Sequence, residues 1–110
     1  MCAQNSTPDV SSFQEILIET IDQVLTNRGW LTKNAVYRFL ESNYSLRKED
    51  IPHHIGEFAE TLRQMFGAGA LLIEIEVMKN MRQKIPSLKL EAADADFDFE
   101  KYIESAKHVI

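Results

Sequence analysis

Gly67 and Gly69 stand in G-x-G spacing inside "FGAGALLIEIEVMKNM", residues 66–81. With this spacing phosphate loops bring backbone N–H groups onto an anion. Such loops follow a strand and carry further glycines or a Lys-Ser/Thr pair. Here the glycines follow a helical pattern, so they read as a tight helix–helix joint. Asp94, Asp96 and Asp98 imitate the first three ligands of a calcium loop. That loop needs glycine at its sixth position and glutamate at its twelfth; this chain has Phe99 and Ser105 there. The three aspartates read instead as a solvated acidic linker that supplies carboxylates to a helix start. His53 and His54 are adjacent, and neighbours on a helix diverge by about 100°, which does not suit one metal ion. His108 is far away in sequence, and no cofactor or metal is expected. No Ser/His/Asp or Cys/His triad can be argued, so the expectation is a chain that is not an enzyme.

Glu74, Met78 and Met81 are the candidate partner-binding residues. On a helical reading Glu74 lies beside the apolar line Leu71–Ile75–Met78, partly buried, and a buried carboxylate needs partners. It either accepts a hydrogen bond or cation from a neighbouring helix or serves as a functional carboxylate. Met65, Met78 and Met81 either fill core or line an adaptable groove for a partner helix.

These residues must be positioned by a handful of periodic segments. Ser12 followed by Glu15 forms a capping-box pattern, and Phe13, Ile16, Leu17, Thr20, Ile21, Val24 and Leu25 mark one helical face. The spacing predicts a helix over about 12–28, closed by Gly29 in a left-handed conformation. A second helix is predicted over about 33–43, capped at Thr32 and stopped near Asn43, with Val36, Phe39 and Leu40 inward. "SLRKEDIP" holds at most one helical turn, because Pro52 pushes Ile51 out of helical geometry. Pro52 itself suits the first turn of a third helix, whose face is Ile55, Phe58, Ala59, Leu62, Met65 and Phe66.

Residues 72–77 alternate apolar and charged as a half-buried strand would. The apolar pattern nevertheless continues through Met78 and Met81 to Ile85, long for a strand in so small a domain. Its residues are mostly good helix formers, so 70–85 reads as a helix. Pro86 ends it. "DFEKYIESAKHVI" then reads as an amphipathic helix capped by Asp96 or Asp98, with Phe99, Tyr102, Ile103, Ala106 and Ile110 on its apolar side. The predicted fold is all-α: a compact bundle of four main helices plus a C-terminal amphipathic helix on an acidic linker. In domain terms, residues 1–11 form a disordered N-terminus, 12–85 the helical domain, and 86–110 the linker and last helix.

One hundred and ten residues supply a single core. The only cysteine, Cys2, excludes an intrachain disulfide and points to a reducing, cytoplasmic setting. No apolar run approaches the roughly 18 residues of a membrane span. The net charge of −5 is uneven: residues 11–85 are nearly neutral and 86–110 acidic. A nucleic-acid module advertises a basic patch, and none is evident.

The segments "AVYRFLE" (35–41), "IP" (51–52), Phe58, Leu62, Phe66 with Gly67, and "GALLIEIEVMK" (69–79) together resemble a small archaeal domain of the Nitrosopumilus output-domain type. Such domains occur alone or behind sensory modules in signal-transduction proteins. The resemblance covers roughly residues 13–85 and leaves 86–110 outside. It implies an all-helical fold and no established activity.

The expected function is a non-enzymatic interaction or output module in archaeal-type signalling. It would bind a protein partner or itself, a homodimer included, with nucleic acid and membrane not expected. The last helix would seal the apolar face or swap onto a partner. The alternative is a winged-helix DNA-binding transcriptional regulator, with 33–43 and 53–66 as its helix-turn-helix and 68–80 as its wing. That reading needs a strand at 72–77 and a basic recognition helix. Residues 53–66 offer Arg63 against Glu57 and Glu60.

Overall fold

The computed structural model describes residues 10–85 and 99–107. They form helices α1 (Val10–Asn27), α2 (Trp30–Tyr44), α3 (Ile55–Phe66), α4 (Ala70–Lys84) and α5 (Phe99–Lys107). Two 3-10 turns, Lys48–His53 and Gly67–Gly69, join α2 to α3 and α3 to α4. No strand occurs among the described residues. Residues 72–77 lie inside α4, so the strand required by a wing at 68–80 is not formed. Helix-forming composition prevails there over local alternation.

α1 is the helix the others gather on. Its stripe of Phe13, Leu17, Ile21, Val24 and Leu25 is enclosed, and Thr20 with it. α2 and α4 flank it, α3 packs on α2 and α4, the Lys48–His53 turn touches α1, and α5 lies on α3. α2 contributes Val36 and Leu40, α3 contributes Phe58, Ala59 and Leu62, and α4 contributes Ile73, Val77, Met78 and Met81. Phe99, Ile103 and Ala106 of α5 belong to the same core, and the Phe99 ring meets Phe58 at 6.5 Å. Ile110 lies outside the described residues.

Polar contacts fix how α4 runs along α1. Lys84 Nζ donates to Thr20 Oγ1 and Gln23 Oε1, both at 3.0 Å. Arg28 donates to Glu76 Oε1 at 3.0 Å. As α1 advances from Thr20 to Arg28, its α4 partners recede from Lys84 to Glu76, so the two helices are antiparallel. On the opposite side Asp22 accepts a hydrogen bond from the Tyr37 hydroxyl at 3.0 Å. Lys33 and Lys48 stand 3.7 and 3.8 Å from the same carboxylate. One aspartate thus ties α1 to α2 and to the first 3-10 turn.

The joints depart from the expected ones. α1 already runs through Val10–Ser12, so Ser12 is inside the helix rather than its cap. Gly29 has a positive φ of 111° with ψ 136°, which is outside the left-handed helical region. This conformation turns the chain fast enough for α2 to begin at Trp30, two residues before the expected cap at Thr32. α2 runs past Asn43 to Tyr44 and closes on Ser45, whose φ of 57° is left-handed. The Ser45 N–H donates to Glu41 O, the single bond of an αL helix end, and the Leu46 N–H donates to Leu40 O. Pro52 sits within the Lys48–His53 turn rather than opening α3, which starts at Ile55.

Two stability measurements check this account. A Cβ on Gly29 would meet only Thr32 Oγ1 at 3.8 Å, so Gly29→Ala should cost about 1–3 kcal/mol in urea denaturation through backbone strain alone. Ser45→Gly relieves the opposite fault and should gain up to about 1 kcal/mol. A pH series checks the Asp22 tie. Burial, then the hydrogen bond to Asp22 and the charges of Asp22 and Glu49, push the Tyr37 phenol far above its ordinary value of 10.0. A raised folded value means stability is fully present below the unfolded phenol's range and declines as pH climbs above about 10. Tyr37→Phe should flatten that decline, leaving a residue from Tyr102, which burial also pushes up.

Candidate functional site

The antiparallel placement of α1 and α4 brings two joints to one end of the molecule. There the α1–α2 joint at Gly29 delivers Trp30 and Leu31, and the α3–α4 joint delivers Leu71 and Leu72. Trp30 is 63% exposed, Leu31 71%, Leu71 47% and Leu72 63%. Leu72 lies one helical turn before Glu76 on the same face of α4. Because Glu76 holds Arg28, Leu72 lies near the C-terminal end of α1, at the pole that also carries the Gly29 joint. Single exposed leucines are ordinary on a protein surface; here four large apolar residues are exposed at one pole of the described residues.

Four adjacent apolar residues, 70–73, cannot all face inward on a helix, since successive side chains diverge by about 100°. Ala70 and Ile73 take the core, and Leu71 and Leu72 are left outside. The expected apolar line Leu71–Ile75–Met78 is therefore rotated. The buried stripe of α4 is Ala70, Ile73, Glu74, Val77, Met78 and Met81, while Ile75 is half-buried.

A cleft of about 520 Å³ opens beside this end, between α3, α4 and α5. Arg63, Gly67, Leu71, Glu74, Phe99 and Glu100 form most of its wall. Leu71 belongs to both cleft and exposed end, so the two surfaces are continuous. Glu74 is only 5% exposed, set in the buried stripe rather than beside it. Arg63, at the cleft mouth, contacts Glu60 at 3.3 Å. The Glu100 carboxylate fills the space left by Gly56, where a Cβ would lie 3.2 Å from its Oε2. That puts a negative group at the first turn of α3, where the helix dipole favours it.

Met78 and Met81 are completely enclosed. They fill the core and offer no surface to a partner helix in this arrangement. Trp30 and Leu31, which precede the helix start expected at Thr32, are exposed instead. The signal available for them was a large aromatic and a leucine directly after a joint glycine.

His53 and His54 turn to different partners. The Gln14 amide donates to His53 Nε2 at 3.2 Å, and His54 Nδ1 stands 3.7 Å from Glu57. Of the G-x-G pair only Gly67 has a positive φ, 57°; Gly69 is helical, at φ −70°. Gly67 closes α3 by donating its N–H to Arg63 O, so the pair makes a joint. Cys2, Asp94, Asp96, Asp98 and His108 lie outside the described residues.

The site offers apolar anchors with a rim of both charge signs, which is a binding chemistry. If the end is held by no packing of its own, Trp30→Ser and Leu72→Ser should each change stability by less than about 0.5 kcal/mol. Leu17→Ala, in the enclosed stripe, should cost about 2–5 kcal/mol in the same denaturation assay. No protein-family model, no curated protein and no solved structure matches this chain.

Proposed function

We propose that this chain is a protein-interaction module without catalytic chemistry of its own, docking through its Trp30–Leu31–Leu71–Leu72 end. In this reading α1–α4 form a four-helix bundle, and α5 is an amphipathic fifth helix laid on α3. The observation that carries it is the exposure of four large apolar side chains at the two joints of one pole. Tryptophan and leucine at a compact surface supply most of the energy of a typical interface, while mixed-sign groups at the edge add selectivity.

The resemblance of roughly residues 13–85 to the archaeal output-domain family supports a place in signalling or regulation, and the lone Cys2 supports a cytoplasmic setting. A chain of net charge −5 with no helix long and apolar enough to cross a membrane among the described residues favours proteins over nucleic acid or lipid as partners.

Immobilised parent chain and Trp30→Ser/Leu72→Ser double variant should be compared for proteins retained from an extract of the native source. The double variant should lose at least ten-fold of the specifically retained protein. Arg38→Ser, on an exposed part of α2, should keep it. Equal retention by all three chains would sink the assignment of this end. So would tight, salt-sensitive binding to duplex DNA by the parent chain.

A further inference from the structure

α5 is held differently from the other helices. Each of α1–α4 packs on two or more helices, whereas α5 packs chiefly on α3. Its anchors are Phe99, Ile103 and Ala106, all buried, with the Phe99 ring 6.5 Å from that of Phe58. On both flanks of that stripe the packing opens. Towards α4 lies the cleft of about 520 Å³, with Phe99 and Glu100 in its wall. Towards the Lys48–His53 turn lies a second cavity of about 140 Å³, between Glu100, Ile103 and Glu104 on one side and Pro52, His53 and Ile55 on the other.

α5 has nine residues, fewer than the roughly 12–15 at which an isolated helix becomes even marginally stable in water. It is therefore helical only while docked, and docking must offset the ordering of its backbone. Three buried apolar side chains are a small return on that cost. The Tyr102 hydroxyl reduces it further. This group is buried and makes no hydrogen bond among the described residues, a cost that exists only in the docked state. By contrast, the α1 stripe is covered by α2 and α4. What α5 covers is also chemically distinct. Glu74, 5% exposed, is the one buried charged residue among the described residues, and it shares the cleft wall with Ala59 and Phe99.

We propose that α5 is a lid, leaving α3 as a unit while α1–α4 stay folded and uncovering Phe58, Ala59 and Glu74. The lid controls access to a carboxylate with an apolar border. The exposed end at Trp30 and Leu72 takes no part in it.

Amide hydrogen exchange of the full chain, followed residue by residue over a low-urea series, tests the lid. The Ile103 and Ala106 amides should exchange at least about ten-fold faster than those of Leu17 and Ile21, with a shallower dependence on urea. Tyr102→Phe removes the buried hydroxyl and should slow α5 exchange about five-fold or more. Ile103→Asp should leave α5 unprotected, while the Leu17 and Ile21 amides stay protected and the chain keeps one cooperative urea transition. In a Cys2→Ser background, the thiol of an Ala59→Cys chain should react with a soluble disulfide reagent with the shallow urea dependence of α5 opening. Equal exchange and equal urea dependence in α5 and α1 overturn the lid, because α5 is then integral to the bundle. Unfolding of the Ile103→Asp chain has the same meaning. An Ala59→Cys thiol that reacts only on global unfolding overturns it too, since α5 then does not gate this face.

Discussion

Enclosure of the α1 stripe is the constraint from which the remaining structure follows. Phe13, Leu17, Ile21, Val24 and Leu25 are withdrawn from water almost completely, each worth about 1.5–3 kcal/mol of transfer free energy. No single neighbour can cover so much of a helix. α2 and α4 have to lie on either side of it, and α3 has to bridge them. The polar ties across these contacts are partly exposed, and pairs of that kind contribute about 0–1 kcal/mol each. Lys84 on Thr20 and Arg28 on Glu76 therefore choose direction and register, while apolar burial supplies most of the stability.

The same arrangement accounts for the exposed end. The antiparallel run of α1 and α4 puts the α1–α2 and α3–α4 joints at the same pole. The joints are short, and each has a glycine at positive φ, Gly29 or Gly67. A short joint leaves little chain to cover the first turn of the helix that follows. Trp30 and Leu31 open α2, and Leu71 and Leu72 lie in the first turn of α4. Burying them would require rotating helices whose inward faces are already committed to α1.

Helical identity was legible in the letters, including that of residues 70–84, where helix formers and sheer length outweighed a six-residue alternation. The rotation of α4 was not. Hydropathy assigns leucines to the core in preference to Ala70 and Glu74, yet the small residue and the carboxylate face inward and the leucines outward. Periodicity fixes which residues share a face, but only the positions of α1 and α3 decide which face turns inward. The joints were hard to read for a related reason. A Ser at a left-handed helix end, as at Ser45, has no strong composition signal, and Gly29 was assigned the commoner of two positive-φ conformations. α5 was read correctly in its pattern of Phe99, Ile103 and Ala106, since a nine-residue helix with one apolar stripe has only one way to lie on a neighbour.

The tie between Lys84 and Thr20 joins residues sixty-four positions apart, which has a consequence for biosynthesis. α1 is made before the helices that pack on it, and of these α4 is made after α2. At about 5–20 residues per second the interval between the end of α1 and the end of α4 is roughly 3–11 s. Throughout that interval one side of the most apolar stripe in the chain faces solvent, so the nascent chain is most exposed to proteases and to chance association before Lys84 has been made.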